Sequence, residues 1–85
     1  MNRYGQQAKD HWQRTMPARV RDLDDPEQFF TTMGEELEAA IEELARTLAG
    51  PTPTGEPYLT RVQRLNTARF EAEGQVLRGM LLTVG

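Results

Sequence analysis

The stretch DDPEQFFTTMGEELEAAIEELARTLAG, Asp24 to Gly50, is followed at once by PTPTGEP, and its two ends leave little choice of structure. Asp25 suits the N-cap, Pro26 the first helical position, Glu27 the first turn and Gln28 the capping box. Prolines at 51, 53 and 57 prevent the helix from continuing. The predicted helix therefore runs from about 26 to 49. Within it Phe30, Met33, Leu37, Ile41, Leu44 and Leu48 recur at spacings of 3, 4, 4, 3 and 4, which puts them on one stripe at about 100° per residue. A rod with one oily stripe cannot fold alone, so the remaining residues must supply matching faces.

They do so in two further helical segments. Residues from about 56 to 83 place Tyr58, Leu59, Val62, Leu65, Val76, Leu77, Met80 and Val84 on one face, which makes this helix and the central one a long antiparallel pair. The N-terminal segment carries Tyr4, Ala8, Trp12 and Met16 at spacing four and stops near Pro17; PARVRDL then offers one or two more turns, with Val20 and Leu23 inward. No period-two run suggests a strand. The expected fold is all-α: a single helical domain over residues 1–85, with a shorter N-terminal helix packed against the long pair. Gly34, Gly74 and Gly79 fall inside predicted helices, where each costs about 1 kcal/mol relative to alanine. Close helix approach is one reason to keep them and simple tolerance the other.

An 85-residue chain is marginal for a single core, so association with a second chain is expected, possible homodimers included. The absence of cysteine removes disulfides, thiolate metal sites and thiol nucleophiles, and suits a reducing compartment. No apolar run approaches the roughly 20 residues that cross a bilayer, and MNRYGQQAKDHW lacks the apolar centre of a signal peptide. These features point to a soluble cytoplasmic protein with no membrane partner. With no serine and one histidine, no Ser-His-Asp set can be assembled; there is no phosphate loop and no Glu-x-x-His motif. The expectation is a protein without enzymatic activity, catalytic residues, metal or cofactor.

Charge is segregated along the chain. Residues 1–21 hold five bases against one acid, residues 22–45 nine acids and no base, and residues 46–85 five arginines against three glutamates. Segments packed side by side can neutralise one another, so segregation alone does not demand an external ligand. The central helix nevertheless presents Glu35, Glu36, Glu38, Glu42 and Glu43 without a single lysine. An ordinary solvated face mixes both signs, and like-charged i,i+4 neighbours such as Glu38 and Glu42 cost a few tenths of a kcal/mol.

The last helix has polar groups in the middle of its apolar face. Projected from Val62, Asn66, Arg69 and Glu73 fall within about 40° of the stripe's centre. An unpaired guanidinium buried there would cost several kcal/mol. A closed buried network is expected: Arg69 to Glu73 with Asn66 alongside, and Tyr4, His11 or Trp12 available from the first helix to complete it. Either the group fixes helix register, or this face meets a second chain.

YLTRVQRLNTARFEAEGQVLRGMLL, together with Tyr4-Gly5 and the HWQRTMP segment, resembles the TnpV-type small proteins of transposons and integrated mobile elements, the matching positions being Asn66, Arg69, Ala72, Glu73, Val76 and Leu77. The resemblance implies a mobile-element context and no particular reaction. Two functions follow for such a chain. In the first, the acidic helix face docks on a protein with a basic surface, its carboxylates imitating phosphates, to inhibit or assist a nucleic-acid-processing machine such as a host nuclease. In the alternative, Arg3, Lys9, Arg14, Arg19 and Arg21 bind DNA, with dimerisation doubling the basic patch. An acidic pI near 5.1 weighs against the second.

Overall fold

The computed structural model describes residues 1–84, with side chains described through Met80. Its elements are α1 (Arg3–Thr15), α2 (Pro17–Arg21), α3 (Pro26–Ala49) and α4 (Tyr58–Val84), and no strand occurs among the described residues. The architecture is the expected small all-α bundle, a long antiparallel α3/α4 pair with α1 laid against it.

Each helix end has a local cause. Asn2 caps α1 by accepting a hydrogen bond from the Gly5 N–H at 2.9 Å. Asp25 caps α3 by accepting from the Gln28 N–H at 3.1 Å, and Pro26 follows at the first position. α3 stops where Gly50 takes φ 67° and ψ −172°, a backbone region essentially confined to glycine, while its N–H still closes on the Arg46 carbonyl. Pro57 delays α4 to Tyr58, two residues later than the predicted start. Glu56 thereby stays in the connecting turn, and its carboxylate receives both Arg64 Nε at 2.9 Å and Nη2 at 3.0 Å. Arg64 Nη1 also donates to the Ala49 carbonyl at 2.6 Å, so one guanidinium closes the open end of α3 and fastens the turn to α4.

α1 runs antiparallel to the N-terminal half of α3 and meets it at two glycines. A methyl group added at Gly5 would lie 2.5 Å from the Phe30 carbonyl oxygen, and one at Gly34 would overlap the Asn2 side chain and sit 2.7 Å from the Gly5 nitrogen. Backbone therefore touches backbone here, which only glycine permits. Asn2 reinforces the crossing by donating through Nδ2 to the Gly34 carbonyl at 3.0 Å and to Glu38 at 3.1 Å. Two turns beyond Gly5, Trp12 packs against Phe29 and Phe30 with ring centroids 5.2 and 5.6 Å away, and the two phenyl rings stand edge to face at 5.1 Å. Lys9 to Glu27, at 3.6 Å, adds an ion pair between the same helices.

The core that results is small and lies where three helices meet. Tyr4, Ile41 and Ala72 are its centre, with Leu37, Leu44, Ala45, Val76 and Leu77 partly buried around them. Phe30 and Ala8 are buried between α1 and α3. The predicted stripe of α3 is inward except at its end, where Leu48 is exposed. On α4 the expectation fails over the first turns: Tyr58, Leu59 and Leu65 are exposed, Val62 is half-buried, and Ala68 and Ala72 face α3 instead. Val84 lies outside the residues whose side chains are described. The reason for the departure is length. At 13 residues α1 is about 20 Å long, whereas α3 and α4 are about 36 and 40 Å. Beyond the first turn of α1 the bundle is two helices thick, and a stripe wide enough for two neighbours has only one. The molecule is accordingly a rod of 54 × 21 × 16 Å.

Two expectations follow. Gly34→Ala should destabilise the fold by about 3 kcal/mol, at the upper end for overpacking because the obstacle is backbone; a urea titration followed by Trp12 fluorescence would measure it. Arg64 holds the Glu56 carboxyl below its ordinary value of 4.5, first through their hydrogen bonds and then through charge. A lowered folded-state pKa means that this stabilisation is complete above pH 4.5 and is lost as the pH falls through the lower folded value. Glu56→Gln should therefore flatten the acid side of the stability curve, measured as melting temperature between pH 3 and 6 (a window of about one to two units around that pKa).

Candidate interaction surface

The carboxylates of α3 fall on the side turned away from its stripe. Glu35, Glu36, Glu42 and Glu43 are exposed and Glu38 is half-buried. Glu38 accepts from Asn2, and Glu43 pairs with Arg46 one turn along the same helix at 2.6 Å. Among the described residues Glu35, Glu36 and Glu42 receive no hydrogen bond and no ion pair, and no three carboxylate or imidazole groups converge as metal ligands. The cations of the chain are directed elsewhere. Arg3 pairs with Glu73, Lys9 with Glu27 and Arg64 with Glu56. The N-terminal segment reaches the side of α3 that carries Glu27, Gly34 and Glu38, and it leaves Glu35, Glu36 and Glu42 unneutralised although the two helices are packed together.

The five candidate bases separate into two groups. Arg3 and Lys9 are engaged at helix contacts. Arg14, in the last turn of α1, and Arg19 and Arg21, in α2, remain exposed; Arg19 Nη1 lies 3.7 Å from the sulfur of Met16. They share this end of the rod with exposed Asp22, Asp24 and Asp25, so the charge there is mixed.

The predicted polar network exists with different members. Glu73 is half-buried, but its partner is not Arg69: its Oε2 accepts from Arg3 Nη2 at 3.0 Å and from the Tyr4 hydroxyl at 3.3 Å. The Tyr4 oxygen in turn accepts from Arg3 at 2.9 Å and from Arg69 Nη2 at 3.4 Å, so one donor and two acceptor directions are all used. The Arg3 guanidinium also lies over the Tyr4 ring, 4.9 Å from its centroid. The hydroxyl contact and then Glu73 hold the Arg3 pKa above its ordinary value. Asn66 is exposed and takes no part. None of the three α4 residues is fully buried, because the covering helix ends at this level, leaving the network at the rim of the core. His11 and Trp12 also stay out of it: the buried nitrogens His11 Nε2 and Trp12 Nε1 find no partner among the described residues. Arg3 was foreseen only as a candidate for nucleic acid. An ion pair between residues 70 positions apart leaves no periodic trace in a sequence. The Arg64–Glu56 clamp was missed for a related reason, since Glu56 reads as the start of a helix until Pro57 is seen to exclude it.

No family model matches the chain, and neither does any curated protein or solved structure. The surface must therefore be judged on its own chemistry. Among the described residues no helix is long and apolar enough to cross a membrane. What the surface offers is a set of unpaired carboxylates, Glu35, Glu36 and Glu42, along α3, and an α1/α2 end of mixed charge.

Replacing Tyr4 by Phe keeps the ring in the core but removes the oxygen that joins Arg3, Arg69 and Glu73. The expected cost is about 1 to 2 kcal/mol by chemical denaturation, with helicity retained in circular dichroism.

Proposed function

We propose that this protein is a non-enzymatic accessory protein of a mobile genetic element that works as an interaction module, docking the acidic face of α3 on a basic protein surface. The observation that carries the reading is that Glu35, Glu36 and Glu42 remain unpaired while Arg3, Lys9 and Arg64 are used inside the fold. Concentrated charge of one sign on a straight helix raises the rate of encounter with a surface of opposite sign and fixes its orientation. A surface built to hold phosphates is such a partner, so the reading extends to inhibition or assistance of a nucleic-acid-processing machine by phosphate mimicry. The mobile-element context rests on the likeness of the Tyr4-Gly5, His11–Pro17 and Asn66–Leu77 segments to TnpV-type proteins.

A DNA-binding accessory role is the second reading, and the exposed trio Arg14, Arg19 and Arg21 is what favours it. Three cations give a weak, strongly salt-dependent electrostatic contribution, and the net charge of −3 opposes it.

Charge reversal separates the two. Glu35→Lys, Glu36→Lys and Glu42→Lys together leave the Asn2–Glu38 bond intact. They should lower capture of nucleic-acid-binding proteins from a host lysate on the order of tenfold, and duplex DNA should compete with the unmodified protein for the same partners. Undiminished capture by the reversed variant would remove the acidic-face reading. Retardation of random duplex DNA at low salt, lost on replacing Arg14, Arg19 and Arg21 by Glu, would establish the second.

A further inference from the structure

The hairpin end of the rod carries an apolar surface that the fold leaves uncovered. Phe70 is 81%, Tyr58 77% and Leu59 72% exposed, with Leu65 and Leu48 at 41% and 40%. At about 100° per residue the four α4 residues fall within an arc of about 140°, centred on half-buried Val62 and Arg69. Scattered apolar residues are ordinary on a surface, but these form one stripe on one helix. It continues the face of α4 that α1 engages lower down, where Arg69 and Glu73 reach Tyr4. This is the place a third helix would occupy if α1 were longer.

We infer that this face is the interface of a homodimer, in which two α3/α4 hairpin ends pack about a two-fold axis to form a four-helix bundle. Two observations select a second copy as the occupant. The first is area. The five side chains expose on the order of 600 Å², within the about 600 to 1,000 Å² per partner of a stable interface. The second is geometry. Two-helix hairpins of about 36 to 40 Å bury their inner stripes fully when they pair into four-helix bundles. None of these five side chains belongs to the acidic set Glu35, Glu36 and Glu42, so the dimer is independent of the acidic-face function and either can fail without the other.

Sedimentation equilibrium of the full chain, from micromolar to millimolar concentration, should give the mass of two chains. Leu59→Glu with Phe70→Glu should return it to one, with the helical circular dichroism unchanged because both side chains are exposed within the protomer. A second measurement leaves the interface charge-neutral. The chain has no cysteine, so Thr67→Cys provides a unique spin-label site on an exposed α4 position away from the stripe. Dipolar coupling between labels on two copies is expected, and dilution with unlabelled chain should remove it. One chain at every concentration, two chains persisting in the double variant, an association larger than two, or absence of coupling between labels would each overturn the inference.

Discussion

The backbone contact between Gly5 and Gly34 sets the position of everything else in this protein. Two helices can cross this closely only where neither carries a side chain, and each glycine gives up about 1 kcal/mol of helix propensity to allow it. With the crossing fixed, Asn2 reaches the Gly34 carbonyl, Tyr4 drops between Ile41 and Ala72, and Trp12 arrives over Phe29 and Phe30. A wider separation would open each of these contacts at once. The small core is adequate because its pieces are brought to van der Waals distance by the backbone itself.

Charge follows from the same placement. Held at this crossing, α1 presents Arg3 to Glu73 and Lys9 to Glu27 and cannot reach the far side of α3. The acidic face is left unneutralised by geometry, although the composition contains bases enough to pair with much of it. Each base used at a helix contact is one fewer for Glu35, Glu36 and Glu42, and a concentrated negative surface is the outcome.

Much of the fold was legible in the sequence because the decisive signals were local. Asp25, Pro26 and Gln28 at one end and Gly50 with three prolines at the other delimit α3 at the observed residues. Spacing four carried Tyr4, Ala8 and Trp12 to the inner side of α1. The acidic row was legible for the same reason, since exposure follows from lying opposite a stripe. Periodicity could not show how far along the long pair the short helix would reach. Tyr58, Leu59 and Leu65 fit an apolar face as well as Val76 and Leu77 do, yet only the latter have α1 beside them. Projection likewise put Asn66, Arg69 and Glu73 together and suggested that they pair with one another. The structure turns Arg69 to Tyr4, joins Glu73 to Tyr4 and Arg3, and leaves Asn66 exposed, because the partners on α1 lie closer than those on the same helix.

By itself the sequence determined the number of helices, their ends and which side of each is apolar, since caps, prolines and periodicity act within a few residues of where they are written. It also determined that the central helix would carry a one-signed outer face. Only the tertiary structure decided which of Gly34, Gly74 and Gly79 is a contact, which bases are consumed, and which half of the apolar stripe is covered. These depend on the lateral offset between α1 and the long pair, a quantity fixed by backbone atoms that meet across 29 residues of chain.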